Sequence, residues 1–511
     1  MNPSTSTIAS LVALRAKELK DKIAFHDDSQ SITYQDLHTQ SDLVAKHLVS
    51  KGMSKGDKAA IWSPNSINWI LAAIGIQKAG GVLVPINTRM KGKEASFILN
   101  KSESKYLFTE NNFLGVDYLS LIKTESVPAL DEIFILNNND VEIQNDFKDL
   151  INFQTDALLP NIEGSDIADI IFTSGTTGEP KGVMVTHSQN LRVFDFWSTY
   201  VGLTNKDHYL IVNPFFHTFG YKAGWLAVIL RGCTAYPEPI FDVGKILEKI
   251  DKYKITMLPG PPTLYQSILS STDFDPTKIN SLRLGVTGAA SIPVSLIQQM
   301  KEVLGFETII TAYGLTESTG VATMCTPDDD YETIATTSGK AIHDVEIKCV
   351  DSDGNRVKNG DQGEILVRGY NVMEGYYDNE DATRETLTKD GWLHTGDVGV
   401  LDDRGYLKIT DRIKDMFIVG GFNTYPAEIE NILLNHQAIS QVAVIGVKDE
   451  RMGEVAKAFI VLKESSNTSE QELIQWAKDN MANYKVPRTI EFLNDLPVNA
   501  AGKVMKYKLR Y

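Results

Sequence analysis

The sequence predicts an α/β protein. It reads as a large N-terminal domain of layered α/β subdomains with a small β-rich part, followed by a small α+β C-terminal domain. Three observations carry that expectation. Short apolar runs alternate with helical patterns over most of the chain, hairpin signals take over from about residue 340, and the last 100 or so residues form a helix–strand unit of their own.

The elements follow in order. Residues 34–50 (YQDLHTQSDLVAKHLVS) repeat apolar side chains at helical spacing, and residues 58–62 follow as a strand. Strand-like runs recur at 168–173, 209–213, 255–258, 282–287 and 308–313, several ending in Gly or Pro, where a buried strand gives way to a loop. Ligands of such sheets sit beyond the carboxyl ends of the strands, so those loops are where a site belongs. Beyond residue 340, runs at 364–368 and 407–410 separated by Asp-Gly, Arg-Gly and Asn-Gly predict antiparallel hairpins. A helix at 427–434, strands at 442–447 and 456–462, a helix at 470–481 and a strand at 489–492 complete the chain. These divide it into domains 1–410 and 411–511, with the hinge near 411–414.

Composition narrows the function. The 511 residues are 42% hydrophobic and 23% charged, ordinary for a globular protein, with 50 Lys+Arg against 66 Asp+Glu and a net charge of −16. An acidic surface repels polyphosphate backbones, which argues against nucleic acid while leaving room for a small anion held locally. Cys233, Cys325 and Cys349 are far apart and have no C-x-x-C spacing, so a disulfide scaffold or cysteine zinc site is not expected and a reducing compartment fits. No basic segment precedes an apolar run at the N-terminus, and the longest apolar stretch, 69–86, is broken by Gln77 and Lys78. A cytoplasmic protein without a membrane segment is expected; oligomeric state is left open.

The strongest local signal is Thr173-Ser174-Gly175-Thr176-Thr177-Gly178-Glu179-Pro180-Lys181-Gly182, directly after a strand. Glycines let backbone approach a ligand, hydroxyls and successive N–H groups donate to phosphate oxygens, and Lys181 adds positive charge. The spacing is not that of a Walker A loop.

This segment resembles the signature loop of the adenylate-forming superfamily of acyl-CoA synthetases, luciferases and peptide-synthetase adenylation domains. Further motifs of that superfamily stand in the same order: Phe216-His217-Thr218-Phe219-Gly220, Tyr313-Gly314-Leu315-Thr316-Glu317, Thr395-Gly396-Asp397, the stretch 411–430, and Asn499-Ala500-Ala501-Gly502-Lys503. The resemblance implies ATP, Mg²⁺ and coenzyme A as reaction partners of a carboxylic acid, and a mobile C-terminal domain. Glu317 is then a Mg²⁺ ligand, and the Thr316 hydroxyl donates to a phosphate. Tyr313, beside Gly314, stacks on adenine, with Gly288, Ala289 and Ala290 against the base. Asp397 accepts from the ribose hydroxyls, Arg412 lies at ribose or phosphate, and Lys414 is the hinge. Lys503 contacts the acid and the α-phosphate during adenylation, and Gly420, Gly421 and Phe422 line the path of the thiol.

The acyl pocket is expected at His217, Phe219, Gly220, Tyr221, Gly224 and Trp225. No acidic residue stands in that run to pair an α-ammonium, so an amino-acid substrate is disfavoured and an apolar acid favoured. The run 216–224 is similar to ligases of ring-containing propionates from sterol degradation; a medium- or long-chain fatty acid is the other expectation. Competing readings are a ligase that loads an acyl-carrier protein and, from another class, a non-catalytic nucleotide-binding regulator. The regulator would be expected to have lost Lys503, Glu317 or the phosphate loop, and all three stand.

Overall fold

A computed structural model describes residues 6–510 apart from 138–144, 174–179, 289–291, 413–414, 420–421, 450–451, 465, 482 and 499–503; for 411–412, 418 and 422–423 it describes the backbone alone. Among the described residues the strands form five sheets. The largest has seven strands. Lys58–Trp62 is the central one of its five parallel strands, between Val82–Pro85 and Ile167–Thr173 on one side and Tyr106–Thr109 and Glu132–Ile135 on the other, and the antiparallel strands Lys181–Thr186 and Gly375–Tyr376 form one edge. Parallel strands need helical crossovers, and Ile67–Lys78 and Gly92–Ser102 supply them. Every residue of Ile67–Lys78 except Asn68 is buried, because the helix lies between the sheet and the amphipathic helix Tyr34–Ser50. The latter begins where the sequence places it, since Thr33 and Asp36 close a capping box.

A second layer runs through Ser31–Thr33, Ile23–His26, Thr234–Pro237 and His208–Ile211, and continues through single bridges at Met257 to Leu284–Thr287, Thr308–Tyr313, Thr323–Met324 and Lys340–Ala341. The strand expected at 255–258 is thus reduced to one bridging residue. Pro259, Pro261 and Pro262 follow it, and proline has no N–H for a ladder.

The β-rich part is an antiparallel sheet of Val345–Val350, Gln362–Gly369, Leu393–Leu401 and Leu407–Arg412. Its last strand runs past the expected boundary at 410, pairing Asp411 with Val398 and Arg412 with Asp397. The C-terminal unit begins with Phe417–Val419 and Phe422–Thr424 and adds Ile439–Asp449, Gly453–Leu462 and Thr489–Phe492. Helices Pro426–Leu433 and Glu470–Asn480 cover it, and Ile429, Leu433, Val444, Ile460 and Leu473 make a core separate from that of the large part. Cys233, Cys325 and Cys349 are buried free thiols. Among the described residues no helix is long and apolar enough to cross a membrane.

Candidate active site

Segments of the seven-stranded sheet and of the second layer converge at the carboxyl end of the Ile167–Thr173 strand. Thr173, its last residue, opens the phosphate-type loop; 174–179 lie outside the described residues, so the expectations for Ser174, Gly175, Thr176, Thr177 and Gly178 are not described by the structure. The loop returns as Lys181–Thr186, antiparallel to the first strand, which pairs Thr173 with Lys181. Strand pairing therefore brings the two ends of a ten-residue motif together at one point.

Glu317 arrives there from the other layer. After the strand Thr308–Tyr313 the chain turns at Gly314, where a Cβ would stand 2.3 Å from Gly320 O, so only glycine fits. The short 3₁₀ turn Thr316–Ser318 then carries Thr316 and Glu317. The Glu317 carboxylate Oε1 lies 3.4 Å from Thr173 Oγ1 and accepts from the Tyr376 hydroxyl at 3.0 Å, while the Met373 N–H donates to the Glu317 carbonyl at 2.9 Å. Among the described residues Oε2 accepts no hydrogen bond, so one carboxylate oxygen is held and the other is available. Such a group fits a hard dication that completes its shell with phosphate oxygens and water. Burial, then the adjacent Glu317 carboxylate, pushes the Tyr376 phenol well above its ordinary pKa, so it stays a donor. The ammonium of Lys181 sits 5.1 Å from the centre of the Tyr376 ring. Sequence reasoning missed Tyr376, and nothing local marks it, since its partner is 59 positions away.

Tyr313 and Asp397 meet across two sheets: the phenol donates to Asp397 Oδ2 at 2.8 Å. Asp397 is 4% exposed, and its backbone N–H donates to Thr395 Oγ1 at 3.1 Å. Strand register sets residue 412 directly opposite. Gly288 ends the neighbouring strand Leu284–Thr287, where a Cβ would stand 3.2 Å from Ala312 O. Tyr313 and Gly288, which the resemblance gives to adenosine, thus lie at the ends of neighbouring strands, and the Asp397 carboxylate reaches Tyr313 from the middle of Leu393–Leu401. Ala289, Ala290, Lys414, Gly420, Gly421, Lys503 and the side chains of Arg412 and Phe422 lie outside the described residues.

The acyl-pocket run follows the strand His208–Ile211. Asn65 braces it from both sides, donating to Asn213 O at 2.9 Å and accepting from the Phe215 N–H at 2.8 Å. His217 caps a single helical turn, its Nδ1 accepting from the Phe219 N–H at 3.2 Å. Gly220 is obligatory: a Cβ would stand 2.2 Å from Pro214 O. His217 is exposed yet closely surrounded by protein atoms, and this desolvation lowers its pKa to about 4. It is therefore neutral near pH 7, and a neutral ring accepting at Nδ1 carries its proton on Nε2 as a donor. Thr218 joins this run to the Glu317 turn, since a Cβ on Gly320 would stand 3.3 Å from Thr218 Cβ.

The wall is thinner than the sequence suggests. Tyr221 and Trp225, expected to line the pocket, have no accessible surface; their rings stack at 4.7 Å within the core and support the wall from behind. The cause is local. Residues Tyr221–Leu226 form a π-turn with a non-helical Gly224, which rotates these rings inward. Lys222, the one charge in the run, is also buried, paired with Asp169.

Known proteins are similar to this chain in sequence and in fold. The AMP-binding enzyme family matches residues 12–377, and the AMP-binding enzyme C-terminal domain matches 428–503. A 3-[(3aS,4S,7aS)-7a-methyl-1,5-dioxo-octahydro-1H-inden-4-yl]propanoyl:CoA ligase of Rhodococcus jostii is 44% identical, over 100% of this chain and 99% of its own. An anthranilate CoA ligase in complex with anthranoyl-AMP superposes with a TM-score of 0.90 at 28% identity, over 99% of this chain and 97% of that one. The O-succinylbenzoate coenzyme A synthetase of Bacillus subtilis, in complex with ATP and magnesium ion, superposes with a TM-score of 0.84 at 30% identity, over 98% of each chain. The chain belongs to the AMP-binding enzyme family, among its acyl-CoA ligases, which join a carboxylic acid to the thiol of coenzyme A with ATP.

Proposed function

We propose that the acid is a ring-containing propionate with no charge beyond its carboxylate, activated as its acyl-adenylate and passed to coenzyme A. The observation that carries this reading is the full-length 44% identity to a ligase named for a bicyclic propanoyl group. A wall whose described charges are internally paired supports it, because a neutral pocket gains mainly from burying apolar surface.

In the first step a carboxylate oxygen attacks the α-phosphorus, the bond to the bridging oxygen breaks, and pyrophosphate leaves. In the second the thiol sulfur attacks the acyl carbon, the carbon–oxygen bond to AMP breaks, and the thiol proton passes to solvent. Neither step needs a protein nucleophile; positioning and charge neutralisation suffice. The loop 173–181 holds phosphate oxygens, Tyr313 and Asp397 hold adenosine, and His217 presents Nε2–H on the acyl side. Glu317 would hold Mg²⁺, which neutralises charge on the departing phosphates. Lys503 serves adenylation, and rotation about Lys414 then opens the carbonyl to the thiol along Gly420, Gly421 and Phe422.

The test is AMP release by the purified protein with ATP, Mg²⁺ and coenzyme A against acetate, C6 to C18 fatty acids, aryl acids and a bicyclic propionate. Fastest turnover on the bicyclic propionate is expected. A kcat/KM tenfold higher on a fatty acid overturns the substrate class, and acid-dependent pyrophosphate release that coenzyme A does not accelerate overturns the acceptor.

A further inference from the structure

We propose that the buried ion pair of Lys222 and Asp169 is a positioning device, which sets the acyl-pocket wall in register with the phosphate loop so that the acid meets the α-phosphorus in line. Lys222 Nζ lies 3.0 Å from Asp169 Oδ1, and both side chains have 0% exposure. Asp169 Oδ2 accepts from Asn190 Nδ2 at 2.6 Å and from the Tyr221 hydroxyl at 3.3 Å; Gln77 Nε2 donates to that hydroxyl at 2.8 Å and to the Ala168 carbonyl at 3.2 Å. One network therefore ties the helices Ile67–Lys78 and His187–Tyr200 and the π-turn Tyr221–Leu226 to the strand Ile167–Thr173.

Stability alone does not explain such a pair. Removing two charges from water is costly, and apolar residues of similar volume at such sites are often neutral or stabilising. Burial pulls the Lys222 pKa down and Asp169 raises it in part, so the ammonium is held by one partner. Among the described residues neither Lys222 Nζ nor Asp169 Oδ1 has a hydrogen bond beyond the ion pair. What a charge pair adds over a greasy contact is a single permitted arrangement.

Its place in the chain says what is being arranged. Asp169 is on the strand that ends at Thr173, the first residue of the phosphate loop, whose hydroxyl stands beside Glu317. Lys222 is in the turn that follows His217, Phe219 and Gly220 directly. The pair is a direct polar link between the strand that leads into the phosphate loop and the turn that follows the acyl wall. In-line attack requires reacting atoms about 3–3.5 Å apart, and a misplacement of about 1 Å can cost ~100-fold. The inference rests on the reading of His217 to Gly220 as the acyl wall, but not on which acid binds there.

The experiment compares wild type, the apolar pair Lys222→Met with Asp169→Leu, and Tyr221→Phe, each with whichever acid wild type uses best, so that a wrong substrate class leaves the comparison intact. Acid-dependent ATP–pyrophosphate exchange reads adenylation; thiolysis of supplied acyl-AMP reads the second step, in which the α-phosphorus is already bonded. For the apolar pair we expect exchange kcat to fall ten- to a hundredfold, with thiolysis and ATP affinity within about twofold of wild type. Tyr221→Phe keeps the charges and removes one hydroxyl, and a three- to tenfold loss confined to exchange is expected. A folded apolar pair with wild-type exchange overturns the proposal, as does an equal loss of both half-reactions. If the apolar pair does not fold, unchanged exchange in Tyr221→Phe overturns it.

Discussion

Tyr376 donates its phenol proton to Glu317 Oε1 at 3.0 Å, from a strand that pairs with the return arm of the phosphate loop. One ring thus holds the carboxylate and lies beneath the ammonium of Lys181, 5.1 Å from its centre. A carboxylate fixed at one oxygen presents the other in one direction, which is the condition for holding a cation without a cage of protein ligands.

Tyr376→Phe is therefore expected to raise the Mg²⁺ concentration for half-maximal activity by three- to tenfold, with ATP turnover at saturating Mg²⁺ within about twofold of wild type. A hydrogen bond to a charged group is worth about 1.5–3 kcal/mol, and solvent reaching the half-buried Glu317 carboxylate brings the effect below that range, to roughly 0.6–1.4 kcal/mol for a three- to tenfold shift. A Mg²⁺ titration that superposes on wild type removes Tyr376 from the site.

Asp397→Ala removes both the acceptor of Tyr313 and the carboxylate assigned to the ribose. The KM for ATP should rise at least tenfold, while the KM for the acid moves less than threefold. Steady-state titration of each substrate checks this, and a parallel rise in both would mean a general loss of structure.

His217 titrates at about 4 because it is desolvated, against an ordinary value of 6.5. Its folded pKa is depressed, so the neutral ring is favoured by folding and the unfolded chain takes up the proton first as pH falls from 6.5 towards 4. Between pH 5.5 and 8 the ring keeps its charge state. The profile of kcat/KM for the acid should then show no His217 inflection there, and an inflection near 6.5 that vanishes in His217→Gln would contradict the assignment.

Glu110, 3% exposed at the carboxyl end of Tyr106–Thr109, has its pKa pushed up from 4.5 to about 7 by burial, against the opposing hydrogen bonds of Ser63 and Asn137. A raised carboxyl is stabilised as the neutral acid, so its contribution is complete below pH 4.5 and is lost as pH rises through 7. Glu110→Gln stays neutral throughout. Its stability relative to wild type should therefore increase between pH 5 and pH 8, by on the order of 3 kcal/mol from a shift of about 2.5 pH units. Denaturant midpoints at the two pH values measure it, and a difference that does not change with pH refutes it.

Lys503→Ala should lower acid-dependent pyrophosphate exchange at least a hundredfold, the scale of losing one preorganised charge at a developing oxyanion, and leave thiolysis of supplied acyl-AMP within about threefold. Equal loss of both half-reactions would sink the assignment of Lys503 to adenylation alone.

Much was legible in the sequence because much is local. The helix Tyr34–Ser50 is specified by its own period and by the capping box of Thr33 and Asp36, and the strand Thr308–Tyr313 by a run of apolar side chains ending at an obligatory glycine. The candidate residues of the Thr173–Gly182 loop and of Tyr313–Glu317 were visible because each motif is contiguous. Met257 shows the limit: residues 255–258 look like a strand, yet the prolines that follow leave a single bridge. The layered α/β class, the family motifs and an acyl run without an acidic partner for an amine can all be read from contiguous residues. That Tyr221 and Trp225 stand behind the wall, that Tyr376 holds Glu317 and that Lys222 is spent on Asp169 emerges only from contacts between distant segments. The physical reason is the same in all three. Each side chain's environment is set by a partner more than fifty positions away or by a turn that rotates it inward, and hydrogen bonds and ion pairs leave no period in the sequence that makes them.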